Sequence, residues 1–248
     1  MIRRFVRSSG LIFDLGMNNG DDTEYYLLKA KRVVSVEANS DLCALAKSRF
    51  ATEIASGRLE ICNLAVWNDF DTRTFFINTG NDHWSSLDIN WAGREQSTCA
   101  ERPVTCVPVS YLFALYGVPF YMKIDVEGVD QIVIDQLRDS QYLPYFLSLE
   151  DCRFGFDYLE TLKAVGYERF KLANQADVAN MTDRSVAHRF KPGASGPFGD
   201  DLPGEWLGYE DMVSKYSCEV RDRDNNRHAP RTIWWDIHCC GPSAENVL

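Results

Sequence analysis

Basic residues are scarce in this sequence relative to acidic ones. The 248 residues include 26 Lys and Arg against 36 Asp and Glu, which gives a formal net charge of −10 at pH 7. A surface that binds nucleic acid neutralises phosphates with clustered Lys and Arg. The composition therefore argues against a broad nucleic-acid surface, and we expect no nucleic-acid partner.

Long apolar runs are also missing. The longest, residues 111–122, is interrupted by Gly117 and Pro119, whereas a membrane-spanning helix needs about 20 consecutive apolar residues. The basic residues 1–7 precede an apolar run that Asp14 soon interrupts, which does not match a signal peptide. We therefore expect no membrane association.

Cysteine and histidine patterns typical of metal sites do not occur either. None of the eight cysteines forms a C-x-x-C pair, and the four histidines show no zinc-ligand spacing. Several cysteines lie in apolar stretches, where a thiol packs as a small hydrophobic group. We interpret them as reduced and structural, and we expect no metal site and a cytoplasmic setting. They are Cys43, Cys62, Cys99, Cys106, Cys152, Cys218, Cys239 and Cys240.

The residues that are present predict one α/β domain over residues 1–248. Hydrophobic residues make up 45% of the chain, and this length buries a substantial core without disulfides. Short β-type runs alternate with helical stretches, a pattern typical of βαβ units and a parallel sheet. Strands are predicted at 11–14, 32–37, 59–66, 119–125, 146–150, 167–172 and 232–238, and helices at 21–31, 40–55, 129–137 and 156–165.

Two segments depart from this alternation. Residues 67–109 contain short strands separated by turn residues, and we predict a β insertion at the edge of the sheet. Residues 191–208 are rich in Gly and Pro and contain Phe198 and Trp206. Long irregular loops in compact domains are usually lids or mobile segments. We predict that this segment is a mobile loop or a lid whose aromatic side chains cover a pocket.

A glycine-rich turn follows the first predicted strand. The sequence Asp14-Leu-Gly16-Met-Asn18-Asn-Gly20 leads into the first helix, and glycine there lets the backbone bend sharply and approach a ligand closely. Glu37 ends the second strand about twenty residues later, where an acid accepts hydrogen bonds from ribose hydroxyls. Together these features predict an adenosine-containing ligand at the carboxyl ends of the strands.

The acids around the turn indicate which ligand. A dinucleotide-binding turn has glycine where this chain has Asn18 and Asp21. Asp21 and Asp22 at the helix N-terminus satisfy the helix dipole themselves and would repel a diphosphate. A cofactor with an amino group, a sulfonium and no phosphate fits better, which favours S-adenosylmethionine. A nicotinamide-dependent oxidoreductase and a turn with a purely structural role are the alternatives.

A third motif connects these features to a known family. The string Tyr121-Met-Lys-Ile-Asp125-Val-Glu127-Gly128 places acids at the end of the fourth predicted strand. Taken with the glycine turn and with residues 36–39, 64–66, 85–87 and 148–150, the sequence resembles the FkbM-type family of S-adenosylmethionine-dependent methyltransferases. The resemblance runs from about residue 11 to residue 167, whereas the chain after about residue 175 matches the family pattern poorly and its role is open.

The resemblance implies a Rossmann-like class I methyltransferase fold, whose sheet is mostly parallel with an antiparallel final strand. It implies that the glycine turn holds the methionine part of S-adenosylmethionine, with Thr23 near its carboxylate. Glu37 is implied to bind the ribose hydroxyls, and Asp125 to lie near the amino or methyl group. The implied cofactor residues are Asp14, Gly16, Met17, Asn18, Gly20, Thr23, Glu37, Ala38, Leu64, Ala65 and Asp125.

The family also implies an acceptor class, because its members include enzymes that O-methylate sugars and secondary metabolites. We therefore expect a small-molecule or glycan acceptor. A hydroxyl acceptor benefits from a general base, for which the candidates are Asp125, Glu127 and Glu150, with His83 less favoured. Four arginines between residues 221 and 231 either bind an anionic acceptor or lie in an exposed hairpin loop. A non-catalytic S-adenosylmethionine-binding module is the alternative function.

Overall fold

Seven strands form the central sheet of the computed structural model, which describes residues 3–242; both ends of the predicted 1–248 domain lie outside this range. The order across the sheet is β3-β2-β1-β4-β5-β7-β6, with β7 antiparallel to β5 and β6 and the other pairs parallel. This confirms the predicted Rossmann-like fold. The strands are β1 (Leu11–Leu15), β2 (Arg32–Glu37), β3 (Leu59–Asn63), β4 (Tyr121–Ile124), β5 (Phe146–Glu150), β6 (Arg169–Asn174) and β7 (Trp235–Cys240).

The two central strands explain where a ligand site forms. Every residue of β1 and of β4 is buried, as expected for parallel strands that are covered on both faces. The chain proceeds from β1 outward through β2 and β3, and then crosses to β4 on the other side of β1. Ligands of open α/β sheets bind in the crevice at such a reversal, outside the carboxyl ends of the strands.

In the described residues, eight α-helices connect or flank these strands. No side chain caps α1, which follows Gly20 in a left-handed conformation. Asn39 caps α2 by accepting a hydrogen bond from the Asp41 backbone N–H at 3.0 Å. The helices are α1 (Asp21–Lys29), α2 (Ser40–Arg49), α3 (Ala51–Ala55), α4 (Ile89–Ala92), α5 (Val109–Tyr116), α6 (Asp130–Gln136), α7 (Gly155–Val165) and α8 (Tyr209–Glu219).

The predicted β insertion is a separate three-stranded sheet. It contains the antiparallel pair Asp71–Asn78 and Cys99–Val107, and Ala65–Val66 adds a short parallel strand. The insertion therefore begins two residues earlier than predicted, because the chain leaves the central sheet after Asn63. Two smaller strand pairs join Arg4–Val6 to Tyr142–Pro144 and Thr182–Asp183 to His188–Arg189.

The segment 191–208 is packed against the sheet over much of its length. Phe198 is only 3% exposed, and its ring stacks on Tyr121 of β4 with centroids 3.8 Å apart. Trp206 stacks on Phe146 of β5. These two aromatic side chains therefore anchor the segment to the hydrophobic core, and the expectation that they cover a pocket is corrected.

Within residues 3–242, none of the helices combines the length and the apolar character needed to cross a bilayer.

Candidate active site

The carboxyl ends of β1, β2 and β4 open onto a cleft at the point where the strand order reverses. It contains about 620 Å³ of empty space, its open mouth included. Its lining includes apolar side chains, among them Val66, Phe75 and Val129, and the carboxylates of Glu37 and Asp125. Seven of the predicted cofactor residues line it: Gly16, Asn18, Glu37, Ala38, Leu64, Ala65 and Asp125.

Gly16 is the position in the turn where a side chain has no room. Its φ is +85°, and a Cβ built on it would lie 1.7 Å from the backbone carbonyl oxygen of Asp125. Its backbone N–H donates to the carbonyl oxygen of Val36 at 2.9 Å. Because only glycine permits both this φ and this approach, Gly16 lets the ends of β1, β2 and β4 meet at the floor of the cleft.

Glu37 is held at the edge of the cleft by backbone donors. Its Oε2 accepts a hydrogen bond from the N–H of Asn18 at 2.8 Å, and its Oε1 accepts one from the N–H of Asn39 at 2.7 Å. Burial raises the pKa of Glu37, and the two N–H donors oppose this effect. Each carboxylate oxygen keeps further acceptor capacity. The side chain is thus fixed in place and can accept hydrogen bonds from a diol in the cleft.

Lys123 is the functional side chain that the sequence reasoning missed. Its ammonium Nζ lies 3.1 Å from Asp22 Oδ2, 3.2 Å from Asp125 Oδ2 and 3.9 Å from Asp14 Oδ1. Burial acts to lower the pKa of Lys123, but the carboxylates of Asp125, Asp22 and Asp14 raise it well above the ordinary value. The string at 121–128 contains this lysine, but nothing in the linear sequence shows that it is surrounded by an acid of β1, an acid of α1 and the acid that directly follows β4.

Four of the predicted cofactor residues lie outside the cleft. Thr23 is fully buried and donates its hydroxyl hydrogen bond to Asp14 at 2.6 Å, so it is not available to a ligand carboxylate. Asp14 is also fully buried, and burial raises its pKa to about 7 against the opposing effect of Lys123. Met17 packs into the hydrophobic core, and Gly20 packs on the Phe50 ring. These four residues therefore stabilise the turn and do not line the cleft.

The start of α1 is unsuited to a diphosphate, as predicted from its acids. Asp21, Asp22 and Glu24 all lie in the first turn of the helix. Asp22 is buried and pairs with Lys123, and it also accepts hydrogen bonds from the N–H and Oγ of Ser195, both at 2.8 Å. The carboxylates therefore occupy the positive end of the helix dipole that a phosphate would otherwise use.

A second cavity, which we call the acceptor cavity, adjoins the cleft. It contains about 1020 Å³ of empty space, its open mouth included. His83, Asp125 and Glu127 line both spaces. Among the described residues that line the acceptor cavity, four are acidic and none is Lys or Arg. Its lining includes Trp84, Asp125, Glu127, Glu150, Gln175, Pro192, Gly193, Ser195, Trp234 and Asp236.

Glu127 stands at the boundary between the two spaces. Its backbone has a positive φ of 53°, and its Oε2 accepts hydrogen bonds from Trp91 Nε1 at 2.7 Å and from Arg94 Nη2 at 3.1 Å. Burial and the nearby Asp125 raise the pKa of Glu127 to about 8, while Arg94 opposes this. Burial and the Glu127 carboxylate likewise raise the pKa of Glu150 well above its ordinary value. The structure thus brings the three predicted catalytic acids together.

The arginines between residues 221 and 231 do not face the acceptor cavity. Arg221 is buried, and its Nη2 lies 3.1 Å from Asp151 Oδ2. Arg227 Nη1 contacts the same oxygen at 3.1 Å. Two of the four arginines are therefore committed to one buried carboxylate, and the idea that this run grips an anionic acceptor is not supported.

Comparison with known proteins places this geometry in a family. The sequence model of the methyltransferase FkbM domain matches residues 14–169, which is more than half of the chain. No curated protein matches the chain at a significant level.

Several solved methyltransferase structures are similar in fold. Methyltransferase FkbM from Methylobacillus flagellatus KT has a TM-score of 0.42 and 13% identity, over 68% of this chain and 40% of that chain. Precorrin-6y C5,15-methyltransferase from Geobacter metallireducens GS-15 has a TM-score of 0.40 and 10% identity, over 98% and 82% of the two chains. The 23S rRNA methyltransferase ErmE has a TM-score of 0.41 and 12% identity, over 100% and 65%. The present chain thus spans about 40% of the FkbM structure.

The family match begins within β1 and ends at the start of β6, so it contains both the glycine turn and the string at 121–128. These are the two segments that Gly16 and Asp125 bring together at the floor of the cleft. This chain belongs to the FkbM family of methyltransferases, which use S-adenosylmethionine.

Proposed function

We propose that this methyltransferase O-methylates a hydroxyl group of a neutral sugar or of a small hydroxylated metabolite. S-Adenosylmethionine, when bound, supplies a methyl group activated by its sulfonium. The observation that carries the proposal is the boundary formed by His83, Asp125 and Glu127, which line both the cleft and the acceptor cavity. An acceptor in the second cavity would therefore lie next to a cofactor in the first, and alignment of two reactants supplies much of the rate of such a displacement.

The cleft fits the cofactor by the chemistry of its lining. The Glu37 carboxylate, oriented by the Asn18 and Asn39 N–H groups, would accept hydrogen bonds from the ribose hydroxyls. Leu64 and Ala65 offer apolar surface for the adenine. Asp125 provides a carboxylate for the amino group. The acids of the first turn of α1 disfavour a dinucleotide in the same place.

The charge of the acceptor cavity supports a neutral acceptor. Asp125, Glu127, Glu150 and Asp236 all line it, and its described lining contains no Lys or Arg, which are the side chains that bind phosphate and carboxylate groups. A phosphorylated sugar or an RNA backbone would find no basic side chain there to pair with its charge. We therefore keep the prediction that nucleic acid is not the substrate, although one of the similar structures is an rRNA methyltransferase. The cytoplasmic setting also stays a prediction.

We propose His83 as the proton acceptor for the hydroxyl. His83 lies in a short turn between the strands of the insertion, and its imidazole borders both spaces. Histidine is the side chain that most often serves as a general base. Asp125, Glu127 and Glu150, the candidates from the sequence, would then accept hydrogen bonds from acceptor hydroxyls and orient them.

The start of the segment 191–208 forms part of the wall of the acceptor cavity. Pro192, Gly193 and Ser195 line it, whereas Phe198 is anchored in the core. We propose that residues 191–195 act as a short flap over the acceptor and that the rest of the segment stays fixed. This narrows the predicted lid to its first five residues.

Replacing Glu37 with glutamine tests the cofactor cleft. The amide loses the negative charge that the ribose hydroxyls would contact, and hydrogen bonds to a charged group contribute about 1.5–3 kcal/mol. We expect S-adenosylmethionine affinity, measured by calorimetry, to fall roughly ten- to a hundredfold. Glu60→Gln, at an exposed position on the adjacent strand β3, is the matched control. Unchanged affinity in Glu37→Gln would remove Glu37 from the proposed role, and heat of binding with NADH but not with S-adenosylmethionine would contradict the proposed cofactor.

Transfer of labelled methyl groups tests the acceptor class. The full chain is incubated with methyl-labelled S-adenosylmethionine and a panel of neutral sugars, hydroxylated metabolites, phosphorylated sugars and RNA oligonucleotides. We expect labelling among the neutral hydroxylated compounds, because the acceptor cavity is acidic and has no Lys or Arg in its described lining. Labelling confined to RNA or to phosphorylated sugars would contradict the proposal.

A further inference from the structure

Three carboxylates at the boundary of the acceptor cavity lie unusually close together. One oxygen each from Asp125, Glu127 and Glu150 lies within 4.8 Å of the other two. Carboxylate groups at this separation repel each other unless a proton or a cation lies between them. Oxygen ligands on opposite sides of a Ca²⁺ ion, at 2.3–2.6 Å each, are about as far apart as this limit, and those around Mg²⁺ are closer.

The partners of these acids leave coordination positions free. Lys123 and Asp125 pair through Asp125 Oδ2, and both Trp91 and Arg94 donate to the same oxygen of Glu127, Oε2. Within residues 3–242, the other oxygens of these two side chains have no hydrogen-bond partner. Carboxylates that bind a metal are themselves hydrogen-bonded by neighbouring groups, so these donors are compatible with a metal on the free oxygens.

A fourth acid provides independent support. Asp236 of β7 lies directly opposite Glu150 of β5 in the antiparallel register, and it lines the acceptor cavity. The residue is only 5% exposed, and within the described part of the chain its carboxylate has neither a hydrogen-bond nor an ion-pair partner. Like charges opposite each other on one face of a sheet destabilise it. Burial and the nearby Asp125 raise the pKa of the Asp236 carboxyl group well above its ordinary value, so either a proton or a positive charge in the cavity has to compensate this group.

We propose that Asp125, Glu127 and Glu150 bind one divalent cation at the boundary between the cleft and the acceptor cavity. Asp236 would stabilise the cation through its negative charge without being one of the three ligands. The donors are all oxygen atoms, which select hard cations such as Mg²⁺ and Mn²⁺ over zinc. The absence of zinc-type spacing in the sequence therefore does not bear on this site, and the expectation of no metal is revised.

The cation would assist the proposed O-methylation, and this role of the cation rests on that proposed function. A hydroxyl oxygen coordinated to a divalent cation has a lowered pKa and is held in a defined position. In this chain the position would be the boundary that Asp125 shares with the cleft. His83 would then remove a proton that the cation has already made more acidic.

Binding of Mn²⁺ alone tests the site. The full chain, without cofactor or acceptor, is titrated while the electron paramagnetic resonance signal of free Mn²⁺ is recorded. We expect one bound Mn²⁺ per chain. Asp236→Asn removes the outer charge, and we expect it to weaken Mn²⁺ binding by about 10–100-fold, the usual effect of losing a partner outside the ligand set. Glu150→Gln removes a ligand, and we expect it to weaken Mn²⁺ binding by at least this factor. Glu168→Gln, an exposed acid at the opposite end of the sheet, serves as the control and is expected to bind normally.

The melting temperature without a cation gives a second measurement. Because the pKa of Glu150 is raised in the folded chain, folding near neutral pH without a cation has to protonate this carboxylate, which costs stability. Glu150→Gln removes that cost, so this variant is expected to melt higher than the unmodified chain and to gain nothing from added Mn²⁺. Absence of saturable binding, or binding that neither Glu150→Gln nor Asp236→Asn weakens, would overturn the site. If the chain binds no Mn²⁺ and still transfers methyl groups in excess chelator, the proposed cation site is wrong but the proposed O-methylation stands.

Discussion

Replacing His83 with glutamine is expected to lower methyl transfer by about 10²–10⁴-fold, the usual contribution of a general base. Glutamine keeps a similar size and can hydrogen bond, but it cannot take a proton from the acceptor hydroxyl. Cofactor affinity is expected to stay unchanged, because the contacts that fix the Glu37 carboxylate come from the Asn18 and Asn39 backbone and do not involve His83. The measurement is initial rates with an acceptor found in the methyl-transfer panel, together with calorimetry of cofactor binding.

The variant His228→Gln is the matched control, because His228 is exposed and lines neither the cleft nor the acceptor cavity. Its rates are expected to equal those of the unmodified chain. Full activity in His83→Gln, combined with a large loss of activity in Glu127→Gln or Glu150→Gln, would show that His83 is not the general base. The base would then be one of the two acids, which the sequence analysis named as candidates.

Replacing Lys123 with methionine is expected to destabilise the fold by about 3–5 kcal/mol, the usual effect of removing one partner from a buried ion pair. Methionine fills the space of the lysine stem, but it leaves Asp14, Asp22 and Asp125 without the ammonium that they share. Two of these acids are almost completely buried, so water replaces the lost charge poorly. The loss should appear as a lower urea midpoint in equilibrium unfolding.

Two further variants separate charge from packing at Lys123. Lys215→Met removes a half-exposed i,i+4 pair with Glu219, which is worth about 0.3–0.5 kcal/mol, and should barely shift the midpoint. Adding Asp125→Asn to Lys123→Met removes one uncompensated carboxylate and should restore part of the stability. If the double variant is no more stable than Lys123→Met, the ammonium does not act by compensating these carboxylates.

The sequence predicted the sheet well, because its strands depend on local patterns. The strand at 146–150 and the one at 32–37 have the predicted bounds, since short apolar runs between turn residues are typical of buried parallel strands. Gly16 and Glu37 were found by their spacing and both line the cleft. The direction in which Met17 and Thr23 point was not predictable from spacing, because it depends on how tightly the turn winds into α1.

The acceptor cavity was beyond the reach of sequence reasoning for a different reason. Its wall joins Trp84 of the insertion, Glu150 of β5, Ser195 of the segment 191–208 and Asp236 of β7. These residues are far apart along the chain and share no motif, so only the fold shows that they face one space. Lys123 was missed likewise, because its three partners come from different elements.

Asp22 connects the cleft and the acceptor cavity through direct contacts. Asp22 pairs with Lys123 at 3.1 Å, and it accepts two hydrogen bonds from Ser195. Lys123 also holds Asp125 of the cleft, while Ser195 lines the acceptor cavity. Any factor by which a bound acceptor changes cofactor affinity through these contacts is, by reciprocity, the factor by which the cofactor changes acceptor affinity. Ser195 lies beyond the family match at 14–169, so these contacts join the matched region to the C-terminal region of the chain.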